Sequence, residues 1–269
     1  MRRIRSPRSA VYAYAAVVLF FMWLPILGVL LASFNESRFF SFPFDTWSLG
    51  WYEEATASTT VRDLFATSVK IAGAVAVIAA LLGFAGGMAF ARYRWAGRSF
   101  FQKLVILPLL LPGLVLGLSI RLWINYLEML PTWQTAVLAH TVWVVPITTL
   151  IIAISVYNID PELESAAQDL GAGRARAFWE VTLPPLLPAV RTAAIFAFLL
   201  SWLNFPLSYF TTGSESTVPE WIFAKQVGGY TPLLPSVGIL AIVLPVLVLA
   251  GVLVLMQVVR LTRRAVSVR

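Results

Sequence analysis

Six apolar runs occupy more than half of the sequence: Val11 to Ser33, Leu64 to Phe90, Phe100 to Ile124, Thr135 to Tyr157, Leu186 to Phe210 and Ser236 to Val259. Each is long enough to cross about 30 Å of hydrocarbon, which takes about 20 mostly apolar residues at about 1.5 Å per residue. No water reaches a backbone inside lipid, so a spanning segment of this length must satisfy its own hydrogen bonds as a helix. The expected fold is therefore an all-α integral membrane protein with six transmembrane helices. It reads as one domain over residues 1–269, because no Pro/Ser linker, low-complexity tract or clear internal repeat interrupts it. The first run follows Arg2, Arg3, Arg5 and Arg8, yet it is longer than a signal-peptide core and no A-x-A site follows, so it reads as a retained helix.

Composition narrows the function classes. With 59% hydrophobic and 12% charged residues and a mean hydropathy of +0.81, the chain leaves no room for a separate soluble catalytic domain. Its net charge of +7 reads as membrane orientation rather than nucleic-acid binding, because the basic residues gather at the ends of apolar runs. They lie at the N-terminus, at Arg92, Arg94, Arg98 and Lys103, at Arg174, Arg176 and Arg191, and at Arg260, Arg263, Arg264 and Arg269. The excess of positive charge on cytoplasmic loops places all four groups, and both termini, inside. Residues 35–63, 126–133 and 211–235, where Arg38 and Lys225 are sparse basic residues, fall outside.

Much chemistry is excluded. The absence of cysteine and the single histidine rule out disulfides, thiolate metal sites and a histidine metal cluster. No G-x-x-x-x-G-K-[ST] phosphate loop occurs, so an energy source must reside on another chain and no bound cofactor is expected here. His140, inside a span, reads as a helix-packing or hydrogen-bonding group. Ala79, Gly83, Gly87 and Ala91 recur every fourth residue and predict a flat packing seam. Pro25, Pro108, Pro112, Pro146, Pro206 and Pro245 predict bends within spans.

One internal loop concentrates acids: Asp160, Glu162, Glu164, Asp169 and Glu180. Asp160-Pro161 suits a helix start, Glu162 to Leu170 a short helix, and Gly171 a left-handed cap. Arg174 to Val181 then predicts a second helix, stopped by Leu183-Pro184-Pro185. Leu163, Ala166, Ala167 and Leu170 form an apolar stripe at helical spacing, a pattern suited to docking in a groove.

The string Ser165-Ala166-Ala167, Leu170-Gly171-Ala172, Phe178, Val181, Leu183-Pro184 and Pro188 resembles the EAA loop of binding-protein-dependent ABC importer permeases of the type I, MetI-like fold. Similarity to the spermidine/putrescine-type branch extends through Ser33-Phe34-Asn35, the stretch from Leu107-Pro108 to Gly117, Ala139-His140-Thr141, and Thr212-Gly213 through Pro219 to Thr231-Pro232. The resemblance implies a permease in the bacterial inner membrane, working with two cytoplasmic ATP-binding subunits that carry ATP and Mg, an external solute-binding protein and a second permease, with a heterodimer favoured. It implies that Glu162, Glu164, Ser165, Ala166, Ala167, Asp169, Gly171 and Phe178 form the contact with the ATPase. Ser165 stands where the family has glutamate, so a salt bridge from that one position to the ATPase does not carry over; Glu164 is the acid that could replace it, although adjacent helix positions point about 100° apart.

For the substrate path the fifth run offers Trp202, Asn204, Ser208 and Tyr209 beside Ser201, and the third offers Arg121 with Asn125. Helix contact is the competing reading of these groups. Counted from Lys103, Arg121 falls near the outer boundary, where it can snorkel, bridge to Glu128 on its own face, or serve a site. Arg121 without buried acids points to an anionic or zwitterionic solute rather than a polycation. An ion-coupled secondary carrier is the rival class; it requires buried ionisable residues and repeat symmetry, which the sequence does not display.

Overall fold

The structure is a computed structural model and describes residues 7–37 and 46–267. Arg2, Arg3, Arg5, Arg38 and Arg269, which enter the charge argument, lie outside the described residues. In chain order the helices are α1 (Pro7–Ala32), α2 (Gly50–Ala57), α3 (Thr59–Ala91), α4 (Arg98–Ile106), α5 (Gly113–Tyr126), α6 (Trp133–Tyr157), α7 (Glu162–Asp169), α8 (Arg174–Ala177), α9 (Leu183–Trp202), α10 (Phe205–Thr211), α11 (Val218–Gly228) and α12 (Leu233–Ser267). Among the described residues no strand forms; Asn35 and Trp47 make one isolated antiparallel bridge.

Five stretches are long and apolar enough to span: Ser9–Ala32, Thr59–Ala91, Trp133–Tyr157, Arg174–Trp202 and Leu233–Val258. The expected third span is not one helix. After α4 the chain makes a 3-10 turn, Leu107–Leu110, and then α5 departs at 104°. Pro112 explains the break, because the residue before a proline is pushed out of the helical region; Leu111 is extended, with φ −86° and ψ 132°. The count of six spans therefore holds when the bent pair crosses as one unit.

The fifth run also departs from expectation at both ends. Leu183-Pro184-Pro185 does not stop the helix: α8 passes through a π-helical turn, Phe178–Thr182, directly into α9. A proline ring crowds the carbonyl four residues before it and offers no N–H. The wider π turn just ahead of Pro184 and Pro185 moves those carbonyls outward and lets the helix continue. At the other end the helix breaks at Leu203 and Asn204 before α10 begins. The N-cap Asn204 Oδ1 there accepts from Leu207 N at 3.1 Å.

The chain forms two compact units. One holds the described residues up to Arg62 and from Ile222 onward. In it α2 meets α12, with Ser236 Oγ donating to Trp51 O at 3.4 Å. Ser33 Oγ and Tyr52 Oη share a 2.6 Å hydrogen bond, and Trp51 Nε1 donates to Asn35 O at 2.9 Å. Nearly every side chain of α1 is exposed, although the helix is strongly apolar. Such a surface belongs against lipid or another membrane helix.

The second unit, Asp63–Trp221, is organised around α6, half of whose span is buried. Ile71, Val75 and Ala79 of α3 pack with Ala136, Val137 and Val144 of α6 and Ala197 of α9. The small-residue seam lies on α6: a Cβ at Gly83 would collide with Thr148, one at Gly86 would meet Thr149 Oγ1 at 2.7 Å, and one at Gly87 would meet Ile152 at 2.9 Å. Closeness lets Thr148 Oγ1 donate to Ala79 O at 2.8 Å, so the helices are joined by a hydrogen bond as well as by packing.

Candidate functional site

The acidic loop folds as a short helix followed by a turn. Asp160 Oδ1 accepts from Glu162 N at 2.9 Å, which starts α7 one residue later than a simple Asp160 cap would. The end of α7 is a Schellman motif: Ala172 N donates to Ala167 O at 3.0 Å and Gly171 N to Gln168 O at 2.9 Å. Gly171 has φ +91° and supplies the left-handed residue this closure requires.

The candidate coupling residues divide into two faces. Glu162, Ser165, Ala166 and Asp169 are exposed, Leu163 is exposed, and Leu170 is 91% exposed at the tip. The other face belongs to the protein itself. Glu164 Oε2 lies 2.6 Å from Arg92 Nη2 and accepts from Thr182 Oγ1 at 3.1 Å. This corrects the expectation of an outward acidic contact at Glu164, whose carboxylate joins the end of α3 to the π turn. Ala167 is half-buried, and Phe178 turns inward, its ring edge-on to Phe84 of α3 at 6.3 Å between centroids. Phe84 and Phe178 border the buried cluster of Met88, Ile152, Val156, Leu186 and Ala193.

The end of α3 is held from a second side. Phe90 O, left without a helical partner, accepts from Arg98 Nε at 3.0 Å, Gln102 Nε2 at 2.9 Å and Tyr157 Oη at 3.4 Å. Arg92, Thr182, Arg98 and Gln102 were not among the candidate site residues. Their roles arise from pairings across many residues of sequence, and no local pattern marks one arginine of a basic cluster as the partner of Glu164.

Both broken helices end at one cavity of about 360 Å³. Leu109, Leu111 and Gly113 line it from the first break, Leu200, Leu203, Asn204, Pro206 and Leu207 from the second, and Trp143 from α6. Irregular backbone at membrane depth is tolerated where it is enclosed by protein or lines a cavity, and discontinuous helices are a recurring way to build a solute site. The two breaks approach closely because α5 carries glycine: a Cβ at Gly117 would meet Pro206 O at 2.8 Å and Phe210 at 2.9 Å.

Of the candidate path residues, Asn204 lines this cavity and also caps α10. Trp202 is buried, stacks on Phe198 of its own helix at 6.1 Å and lies 6.1 Å from the ring of Phe65 of α3. Ser208 is buried and shares a 3.1 Å hydrogen bond with His140 Nε2. Tyr209 and Asn125 are exposed. Arg121 is half-buried and directs Nη1 to Phe210 O at 3.5 Å, linking α5 to α10; among the described residues it makes no ion pair with Glu128 and does not line the cavity. Ser208 is thus engaged by His140 of α6, and Trp202 by Phe198 of its own helix and Phe65 of α3.

Comparisons with known proteins align with this architecture. Residues 79–267 match the family model described as binding-protein-dependent transport system inner membrane component. The putrescine transport system permease protein PotI of Escherichia coli K12 is 28% identical over 237 residues, covering 85% of this chain and 83% of that protein. The spermidine/putrescine transport system permease protein PotC of Haemophilus influenzae is 28% identical over 233 residues, covering 86% and 90%. Among solved structures, a bacterial ABC transporter that imports the acidic polysaccharide alginate has a chain with a TM-score of 0.70 at 12% identity, covering 90% of this chain and 93% of its own. The MetNI methionine ABC transporter, inward facing, has one with a TM-score of 0.58 at 18% identity, covering 75% and 99%.

Proposed function

The chain belongs to the family of binding-protein-dependent transport system inner membrane components and is a permease subunit of an ABC importer; from that premise we propose that α7 receives the stroke of a separate ATPase and passes it to the membrane cavity. The observation that carries this reading is the unbroken helical path from Arg174 to Trp202. Its 29 residues extend about 43 Å at 1.5 Å per residue. One end lies beside α7, and the other stops at the break that walls the cavity. A stiff rod between a docking element and a break converts movement at one into reshaping of the other.

One contact joins that rod to α7, and a second anchors it to α3. Glu164 holds both Arg92 and Thr182, and Phe178 packs on Phe84. The outward stripe of Leu163, Ala166 and Leu170 then remains for the ATPase groove. On this reading α7 and both termini are cytoplasmic, in agreement with the basic clusters, and the membrane is a bacterial inner membrane. ATP and Mg are bound by two partner subunits, a solute-binding protein docks on the opposite face, and a second, different permease completes the path.

The solute is small and organic, and anionic or zwitterionic. The cavity lining holds Asn204 and apolar groups and no carboxylate, so a polycation would enter without a compensating charge. Uptake assays with the reconstituted complex test the reading: labelled amino acids or carboxylates should accumulate with ATP, and polyamines should not. Accumulation of putrescine alone would reverse the charge assignment, and ATP-independent uptake by this chain alone would overturn the mechanism.

A further inference from the structure

The break between α9 and α10 is not left to its own backbone. His140, 1% exposed on α6, places Nδ1 2.8 Å from Ser201 Oγ and Nε2 3.1 Å from Ser208 Oγ. Ser201 lies in the last turn of α9 and Ser208 in α10, so one imidazole bridges both sides of the interruption. A neutral imidazole offers one donor and one acceptor, so one serine hydroxyl donates to it and the other accepts. A second tie fixes the same short helix to α6: Thr135 Oγ1 donates to Thr211 O at 2.7 Å.

We propose that His140 is a positioning residue of the translocation path, holding the break open at the angle that shapes the cavity. The residues it fixes are the ones that form the cavity wall. Leu203, Asn204, Pro206 and Leu207 all fall between or beside the two serines, and Leu203 projects with 70% of its surface exposed. Backbone donors and acceptors freed at a break have no regular helical partners, so its angle is set by side chains that span it. His140 touches neither cavity nor solute; it acts through Ser201 and Ser208. This inference rests on the reading of the cavity as part of the path.

The chain contains no cysteine, so Leu203→Cys introduces a single thiol at the cavity wall. In the assembled complex, its maleimide labelling rate and the KM of ATP-driven uptake are measured together, with labelling scored on this chain's band. His140→Leu, which fills the site without hydrogen bonds, should shift both by about fivefold or more, while His140→Gln, which keeps a donor and an acceptor, should stay within about twofold. The pair Ser201→Ala with Ser208→Ala retains the ring and should reproduce the His140→Leu shift. Native values in His140→Leu, or equal damage in His140→Gln, would overturn the role. A labelling shift with unchanged uptake would remove the cavity from the path, and the positioning role with it, while the pin itself stands.

Discussion

Arg92 at the end of α3 and Glu164 in α7 form an ion pair at 2.6 Å, with side chains only 16% and 26% exposed. Because Glu164 also accepts from Thr182, a single carboxylate joins the input helix, the π turn and the neighbouring span. Removing one partner of a charged hydrogen bond in such a setting costs about 1.5–3 kcal/mol. Arg92→Ala and Glu164→Gln should each raise ATP hydrolysed per solute imported, and Arg92→Glu with Glu164→Arg should recover part of the loss. An additive double variant in coupled uptake assays would dissociate the pair from coupling.

Gly171 and Gly173 separate backbone strain from crowding. A Cβ at either position would have no atom within 4 Å, but Gly171 has φ +91° and Gly173 φ −65°. Gly171→Val should therefore strain the α7 closure by about 1–2 kcal/mol and weaken uptake, whereas Gly173→Val is tolerated. Gly171→Asn, which accepts the left-handed region, should lie between them. Comparable uptake in the two valine variants would contradict this account.

The α3–α6 seam makes the opposite kind of test. Gly83→Ala drives a methyl into Thr148 and endangers its hydrogen bond to Ala79 O; overpacking of this kind costs about 1–3 kcal/mol. Gly73→Ala meets open space. Thermal denaturation of the detergent-solubilised complex should show a lower midpoint for Gly83→Ala and an unchanged or raised one for Gly73→Ala.

Arg121 donates to Phe210 O rather than to an acid. Arg121→Ala should loosen the approach of α5 to α10 and abolish solute accumulation while the complex still assembles on size exclusion. Full accumulation in that variant would separate the residue from the path.

The helices were legible because hydropathy and length alone fix a membrane segment, and the seam of Ala79, Gly83 and Gly87 was legible because its spacing is local. The Gly171 turn was readable for the same reason. What escaped was decided by partners distant in sequence. Glu164 looked like a free acid because Arg92 lies 72 residues away. The prolines were visible, but proline alone does not say whether a helix bends, breaks or continues: Pro112 and Pro206 adjoin breaks, while Pro184 and Pro185 follow a π turn that absorbs them. Ser208 and Trp202 were polar and aromatic enough for a solute site, yet His140 and Phe198 had already engaged them.

Leu170, 91% exposed at the tip of α7, carries the most direct test of the central claim that force enters through this element. A single thiol at Leu170→Cys in this cysteine-free chain can be cross-linked during turnover in the assembled importer. The account predicts a product with the ATPase subunit, together with arrest of hydrolysis and uptake. Leu170 thiols that remain reactive to water-soluble reagents throughout turnover, with no ATPase product and undiminished uptake, would contradict it.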